Sequence, residues 1–486
     1  MRPISSPREV SSSFALMCVI AAFGTGMPRN AWAGHNTSGA DHLPASALGA
    51  PMEKQAGPPS EAFTTTVAYV AQFYPLWFTY HQSQVGVGGN RLVGPDRISP
   101  IYHAVVAIND DTLYATTFLY LKSQPVILTI PETTATYSVL TLDPYGDIFD
   151  AGIPKQTAGT YALSGPEFTG TLPPGVTPIA IPLDVSLLAF RVDKYSSSGE
   201  NQIAQAEAFR RSLKLQSLSD YSIDPSKGST SILPEIAFGV PFKTTADALI
   251  AADPITFLKQ LQTAVASSNT PPMSPAEQAL SGEFDRLFGS GNVGPNSDFG
   301  AGARAAHRLI LDTYLRHLGK TNWIHFTNIG DWGDHVVERS SITEFLQGGN
   351  GISTSAYYHA FRDSEGSPLN GNDPHGYVLT FPAGQLPQAE RFWSVTAYTP
   401  QAIELVPNSA NKYLVASYTP GLQLNADGSL SIYLARKLPE GVPMANWLPI
   451  PKGKFNIMLR IYGVPPNGSV AENTYLPPGI VKVTSR

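Results

Sequence analysis

The spacing of apolar residues changes character along the chain, and each change predicts a different kind of element. "SEAFTTTVAYVAQFYPLWFTYHQSQ" repeats apolar residues at helical spacing behind a Ser60 cap and Glu61, so a helix interrupted at Pro75 is expected there. From about residue 100 to 195 the period shortens to alternating runs, "PVILTIPE", "TYSVLTLDPYGDIFDAG", "TPIAIPLD" and "SLLAFRVDKY". Each is bounded by Pro, Gly or Asp, as antiparallel strands and their turns are. Helical spacing returns between about 200 and 320 in "NQIAQAEAFRRSLKL", "TADALIAADPITFLKQLQTAVASS", "SPAEQALSGEFDRLFG" and "GAGARAAHRLILDTYLRHLG", with Ser, Thr or Asp at the starts and Gly at the ends. After Ala360 strands resume in "YVLTFP", "RFWSVTAYT", "SLSIYLAR" and "KFNIMLRIYG", with "NADGS" at 425–429 reading as a hairpin turn.

This pattern predicts a mainly β chain with helical insertions: two antiparallel β domains of sandwich or jelly-roll type joined by a helical connector. The expected divisions are an N-terminal β domain with an entrance helix over 60–199, the connector over 200–355 and the C-terminal β domain over 356–486. Two domains also follow from the length of 486 residues, because single cores stop growing at roughly 250–300 residues.

The first residues read differently. Arg2 and Arg8 precede the apolar "FALMCVIAAFGTGM", and "AWA" at 31–33 offers a small-x-small cleavage site, so 1–33 is expected to be an export signal. Residues 34–59, rich in Gly, Ala, Pro and Ser, read as a flexible leader. The expected location is periplasmic or secreted, with no integral membrane segment once the signal is removed. The single cysteine, Cys18, lies inside the signal, so the mature chain would lack disulfides, thiol nucleophiles and zinc thiolates. A net charge of −6 with no Lys/Arg run argues against a nucleic-acid partner.

Familiar catalytic motifs are absent. "GSGNVG" at 289–294 follows a helix and meets Pro295, which is the wrong setting for a dinucleotide fingerprint. There is no phosphate-binding P-loop, no H-E-x-x-H and no nucleophile elbow, and the histidines form no close ligand pair. Carboxylates next to strands carry more promise. Asp110 and Asp111 precede one strand, and Asp143, Asp147 and Asp150 follow another. Converging, such groups would hold Ca²⁺ or supply a general acid and base; separately, each serves a turn by accepting backbone N–H groups.

"INDDTLYATTFLYLKSQPVILTIPE" with "YSVLTLDPYGDIFDAG", and "YVLTFPAGQLPQAERFWSVTAYT" with "NWLPIPKGKFNIMLRIYG", resemble the two halves of a bacterial and fungal family. That family joins two domains of unknown function, numbered twelve fifty-four and twelve fourteen. The resemblance implies two mostly antiparallel β domains bridged by helices, often in exported proteins, and no established activity. Its N-terminal signature is similar to P-N-N-D-T-L-Y. Asn109, Asp111, Thr112, Leu113 and Tyr114 match, while Ile108 and Asp110 depart, the latter adding a negative charge.

Two accounts of Asn109–Thr112 remain open. One is a turn that ties down the backbone before a buried strand. The other places these residues in a cleft with Tyr114, Asp143, Tyr145 and Arg191, where Arg191 interrupts an apolar strand and asks for Asp111 or Asp143 as partner. In the C-terminal half, Tyr398, Asn408, Tyr413, Asn446, Trp447, Arg460 and Tyr462 form the comparable polar and aromatic set. The expected function is binding or hydrolysis of a small polar or carbohydrate-like molecule between the domains, with Asp111 or Asp143 as general base and Asn109 and Arg191 steadying negative charge. No cofactor is evident, though Ca²⁺ fits the carboxylates. The alternative is a non-catalytic, envelope-associated binding or assembly module, forming homo-oligomers through sandwich edges.

Overall fold

The computed structural model describes residues 58–85 and 89–484. The expected export signal, the leader up to residue 57 and Cys18 lie outside the described residues. Along the chain, α1 (Glu61–Ser83) is followed by β1 (Val93–Pro95), β2 (Thr112–Tyr120), β3 (Val126–Ile130), β4 (Tyr137–Leu142), β5 (Gly159–Ser164), β6 (Thr177–Ala180) and β7 (Val185–Asp193). Next come α2 (Ile203–Ser212), β8 (Lys214–Ser217), α3 (Leu218–Ile223), β9 (Ser231–Leu233), α4 (Phe242–Ala252), α5 (Pro254–Val265), α6 (Pro275–Ser290) and α7 (Asp298–Arg316). β10 (Trp323–Ile324) and α8 (Val336–Leu346) lead into β11 (Ser355–Ala360), β12 (Tyr377–Phe381), β13 (Phe392–Tyr398) and β14 (Leu414–Ala416). β15 (Leu430–Ala435), β16 (Trp447–Pro449), β17 (Asn456–Tyr462) and β18 (Ile480–Lys482) complete the order.

These strands form four sheets, ordered β4-β7-β2-β1-β9, β6-β5-β3-β8, β10-β11-β17-β13-β14 and β16-β15-β12-β18. Pairing is antiparallel apart from β1 with β9, β5 with β6 and β15 with β16. The first two sheets face each other over a core containing Leu113, Ala115, Leu128, Leu163, Leu188 and Phe190. The last two do so over Tyr358, Leu379, Trp393, Val395, Ile432 and Leu459. The strand alternation seen in the sequence therefore reports two sandwiches, each with its own apolar interior.

One sheet of each sandwich is covered on its outer face as well. Met458 and Tyr398 of the C-terminal sheet, and Tyr114 of the N-terminal one, join the core of the helices, alongside Tyr69, Trp77, Phe257 and Tyr314. That is why β11, β13 and β17 are buried along their whole length. The helical connector thus also forms a middle layer shared by both sandwiches. The stretch expected to be purely helical also supplies β8 to β3, β9 to β1 and β10 to β11, so sheet pairing reaches past residue 199.

Two local expectations are corrected. α1 runs unbroken through Pro75. Proline lacks the N–H that would bond the carbonyl of Ala71, and Ser340 Oγ of α8 donates to that carbonyl at 2.8 Å instead. Arg339 Nη2 donates to the adjacent Gln72 carbonyl at 2.7 Å. "NADGS" does close a turn, with Asn425 N–H on Ser429 O at 2.8 Å and Gly428 at φ 81°. It is not a hairpin, because β15 pairs with β12 and β16 rather than with the preceding β14. Among the described residues no helix is long and apolar enough to cross a membrane.

Ser340→Ala should lower unfolding stability by about 1 kcal/mol. An orphaned buried carbonyl costs roughly 1–3 kcal/mol, offset by the ~0.5 kcal/mol that alanine gains inside α8. Urea unfolding measures this, and an unchanged midpoint would mean that the Pro75 defect needs no cap.

Candidate functional site

A cavity of about 190 Å³ lies where the middle helices meet the covered sheets of both sandwiches. Its walls are mostly apolar: Val106, Ile108, Phe118, Leu187, Ala189, Phe238, Phe242, Ile342 and Leu346. Strand register explains the polar floor. β2 and β7 pair Tyr114 with Arg191, and β11 and β17 pair Tyr357 with Arg460. Residues alternate across each strand, so Leu187, Ala189 and Arg191 share the cavity face while Leu188, Phe190 and Val192 fill the sandwich interior.

Seven of the expected residues line this space: Asn109, Tyr114, Asp143, Tyr145, Arg191, Arg460 and Tyr462. Asn109 Nδ2 donates to Tyr462 Oη at 2.7 Å, and its Oδ1 accepts from Asp111 N–H at 3.1 Å. Arg191 Nη2 donates to Gly348 O at 2.6 Å, and Nη1 donates to Asn350 Oδ1. Its Nε is buried without an acceptor among the described residues. The expected carboxylate partner is not there, and neutral oxygens hold the guanidinium over the Tyr114 ring at 5.9 Å. Arg460, fully buried, donates to Ala107 O and to Thr396 Oγ1 at 3.4 Å, and lies 5.4 Å over the Tyr398 ring.

Asp111 lies behind the cavity wall with 0% exposure. Its oxygens accept from Ser394 Oγ at 2.9 Å and Tyr418 Oη at 2.6 Å, both on the C-terminal domain. Burial pushes its carboxyl up, opposed by the Tyr418 hydrogen bond and the Arg460 charge. A general base needs access to substrate, which this side chain lacks. Asp110 takes Lys194 as its ion-pair partner, so the charge that departs from the family signature is locally neutralised. Asp143 Oδ1 accepts from the N–H groups of Tyr145 at 2.8 Å and Asp147 at 2.9 Å, a turn of the expected kind. Burial, then Asp147, raise its carboxyl to about 6. Asp110, Asp111 and Asp143 thus have separate partners.

The rest of the C-terminal set, Tyr413 included, lies outside the cavity lining. Tyr398 Oη donates to Ile108 O at 2.6 Å. Asn408 bridges Val406 O, Lys412 O and Lys412 N–H. Asn446 staples Gln423 to Ser431, and Trp447 Nε1 donates to Ala435 O at 2.8 Å. Sequence reading passes over Arg339, Trp332 and Tyr357, which also line the cavity. Arg339 lies 4.5 Å over the Tyr145 ring and 3.7 Å from Asp147. Its one signal is an arginine in "VVERSSITEFL", a segment too short in apolar period to announce a helix.

A second polar cluster sits inside the helical layer. Asp247, His307 and Glu344 bring ligand atoms within 4.8 Å of one another. Lys243 Nζ already bridges the carboxylates, at 2.9 Å from Asp247 and in direct contact with Glu344, and Tyr74 Oη donates to Glu344. Burial opposes protonation of His307, but Asp247 and Glu344 outweigh it and raise the imidazole to about 9. Two cations then balance two anions, which leaves no charge for a metal to neutralise.

Asp111→Asn would turn an amide N–H₂ toward a hydroxyl donor, so a loss of about 1–3 kcal/mol is expected in urea unfolding. Wild-type stability would show that the Asp111 contacts carry no weight. His307 has its folded value raised above the ordinary 6.5. Its contribution is therefore full below about pH 6.5 and lost as pH rises through about 9. Urea midpoints between about pH 6 and pH 10 should fall in the wild type and stay flatter in His307→Asn.

Residues 89–217 match DUF1254 and residues 354–466 match DUF1214, each described as a protein of unknown function. The crystal structure of the VPA0106 protein from Vibrio parahaemolyticus aligns with a TM-score of 0.54 at 17% identity, covering 87% of this chain and 100% of that one. An uncharacterised protein from Burkholderia cenocepacia aligns at 0.39 and 14% identity, covering 83% and 91%. The first likeness is one of fold alone. No curated protein matches the chain. With both regions matched in this order, the chain belongs to the family that joins an N-terminal DUF1254 domain to a C-terminal DUF1214 domain.

Proposed function

We propose that the cleft binds a small organic anion with an apolar body, its anionic group resting against Arg191 and Arg460. The observation that carries this reading is the imbalance of charge in the lining. Among the described lining residues Asp143 is the one carboxylate, against Arg91, Arg191, Arg339 and Arg460, of which Arg339 faces Asp147 outside the lining. A buried guanidinium is costly without an anionic partner. Arg191 keeps an Nε donor unmet, and the phenols of Tyr114, Tyr357 and Tyr462 stand in the same lining. A group of donors around two cations suits a carboxylate or another oxyanion.

The apolar walls favour an aliphatic or aromatic body over the carbohydrate-like ligand expected from composition. If the site is hydrolytic, Asp143 is the general base of the two candidates, Asp111 being closed off from the cavity. It lines the cavity, and a carboxyl near 6 is closer to working pH than an ordinary one.

Decanoate at 100 times its dissociation constant should stabilise the protein by about 2.7 kcal/mol. Decanol should do so far less, and Arg191→Gln should abolish the difference between the two. Differential scanning calorimetry with both ligands decides it: equal stabilisation by the acid and the alcohol would sink the anion site.

A further inference from the structure

We infer that the ligand is two-headed, an elongated organic acid whose far end carries a hydrogen-bond donor, ammonium or hydroxyl, received by Asp143. The inference rests on the reading of the Arg191 end as an anion site and concerns the opposite end of the same cavity. β4 and β7 place the two ends in register: Leu142, next to Asp143, pairs with Leu187, and Ser138 pairs with Arg191. Four residues of strand separate Leu187 from Arg191, which is roughly 13 Å at about 3.3 Å each. α8 gives an independent measure. Arg339 lies beside Tyr145 and Asp147 at the Asp143 end, and Leu346 lies just before Gly348, which holds Arg191. Those seven residues of helix span roughly 10 Å.

Between the ends the floor is Ala189 and Leu187, with Ile342 and Leu346 from α8 opposite, so the middle of a ligand there must be apolar. Asp143 Oδ1 is occupied by two backbone N–H groups, so Oδ2 is the oxygen left to face a ligand. The Asp143 side chain nonetheless lines the cavity. Asp143 is the one carboxylate among the described lining residues, whereas the Arg191 end offers the unmet Nε donor, and the cation near Asp143, Arg339, already faces Asp147. A molecule that satisfies both ends has an acceptor head, an apolar spacer of roughly the measured length and a donor tail.

Isothermal titration of the full protein with decanoate, ω-hydroxydecanoate, ω-aminodecanoate and decanedioate tests this, with the wild type, Asp143→Asn and Arg191→Gln. In the wild type the ω-amino or ω-hydroxy acid should bind about tenfold more tightly than decanoate, since a charged acceptor strengthens the bond. Decanedioate should bind more weakly than decanoate. The amide introduced by Asp143→Asn would keep its oxygen on the turn N–H groups and present an N–H₂ to the cleft. In that variant the order should therefore reverse, with decanedioate preferred. Equal affinities in the wild type, or an order unchanged by Asp143→Asn, overturn the two-headed ligand while leaving the anion site standing if Arg191→Gln abolishes decanoate binding. Failure of all four acids to bind overturns both.

Discussion

Everything near the cleft depends on how residues 107–112 are held between the sandwiches. Arg460 reaches out of the central strand of one sheet to the carbonyl of Ala107, and Tyr398 takes the carbonyl of Ile108. Asn109 meets Tyr462, and Asp111 accepts from Ser394 and Tyr418. Ala107 is held at φ 55°, a region that costs a non-glycine residue of order 1 kcal/mol or more, so these contacts outweigh local strain. Elsewhere the domains are joined by the Asp193–Arg391 pair and the stacked Tyr195 and Tyr418 rings, 4.3 Å apart. The polar run that abuts a buried strand is an interdomain latch, and its first member, Asn109, is also cavity wall.

Because the latch fixes the two covered sheets against the same helices, their outer faces meet at a shared volume instead of at solvent. A sheet face built for water would carry Lys and Glu. These faces carry Tyr114, Tyr357, Tyr462, Arg191 and Arg460, residues with large apolar bodies and a polar tip. The guanidiniums are donors alone, and Arg191 Nε finds no acceptor among the described residues. The cavity and its unmet donors are thus consequences of one arrangement.

"FWSVTAY" and "NIMLRIY" are legible as short, largely apolar runs of strand length buried on both faces, and the middle helices by their caps and helical spacing. Residues that owe their place to both domains are not. Arg191 stands out in an apolar strand, but its partners are Gly348 and Asn350, more than 150 positions away. Pro75 reads as a break because the hydroxyl that completes the helix comes from Ser340. Asp111 and Asp143 look alike in sequence, yet one faces hydroxyls in a closed interface and the other a cavity. Asn408, Asn446 and Trp447 resemble a ligand set because amides and indoles serve turns and ligands with the same atoms.

Two buried polar clusters among the described residues differ in charge balance. Around Lys243 and His307, Asp247 and Glu344 return equal and opposite charge, every group lies within reach of its counter-ion, and the cluster joins three helices. Such a network specifies one packing and offers an incoming ion nothing. At the cleft the guanidiniums of Arg191 and Arg460 are held by neutral oxygens, and the closest compensating carboxylate, Asp111, is already engaged with two hydroxyls. Stability alone would be served as well by apolar residues of similar volume at Arg191 and Arg460. Keeping two cations desolvated and short of counter-charge makes physical sense where the missing charge arrives with a ligand.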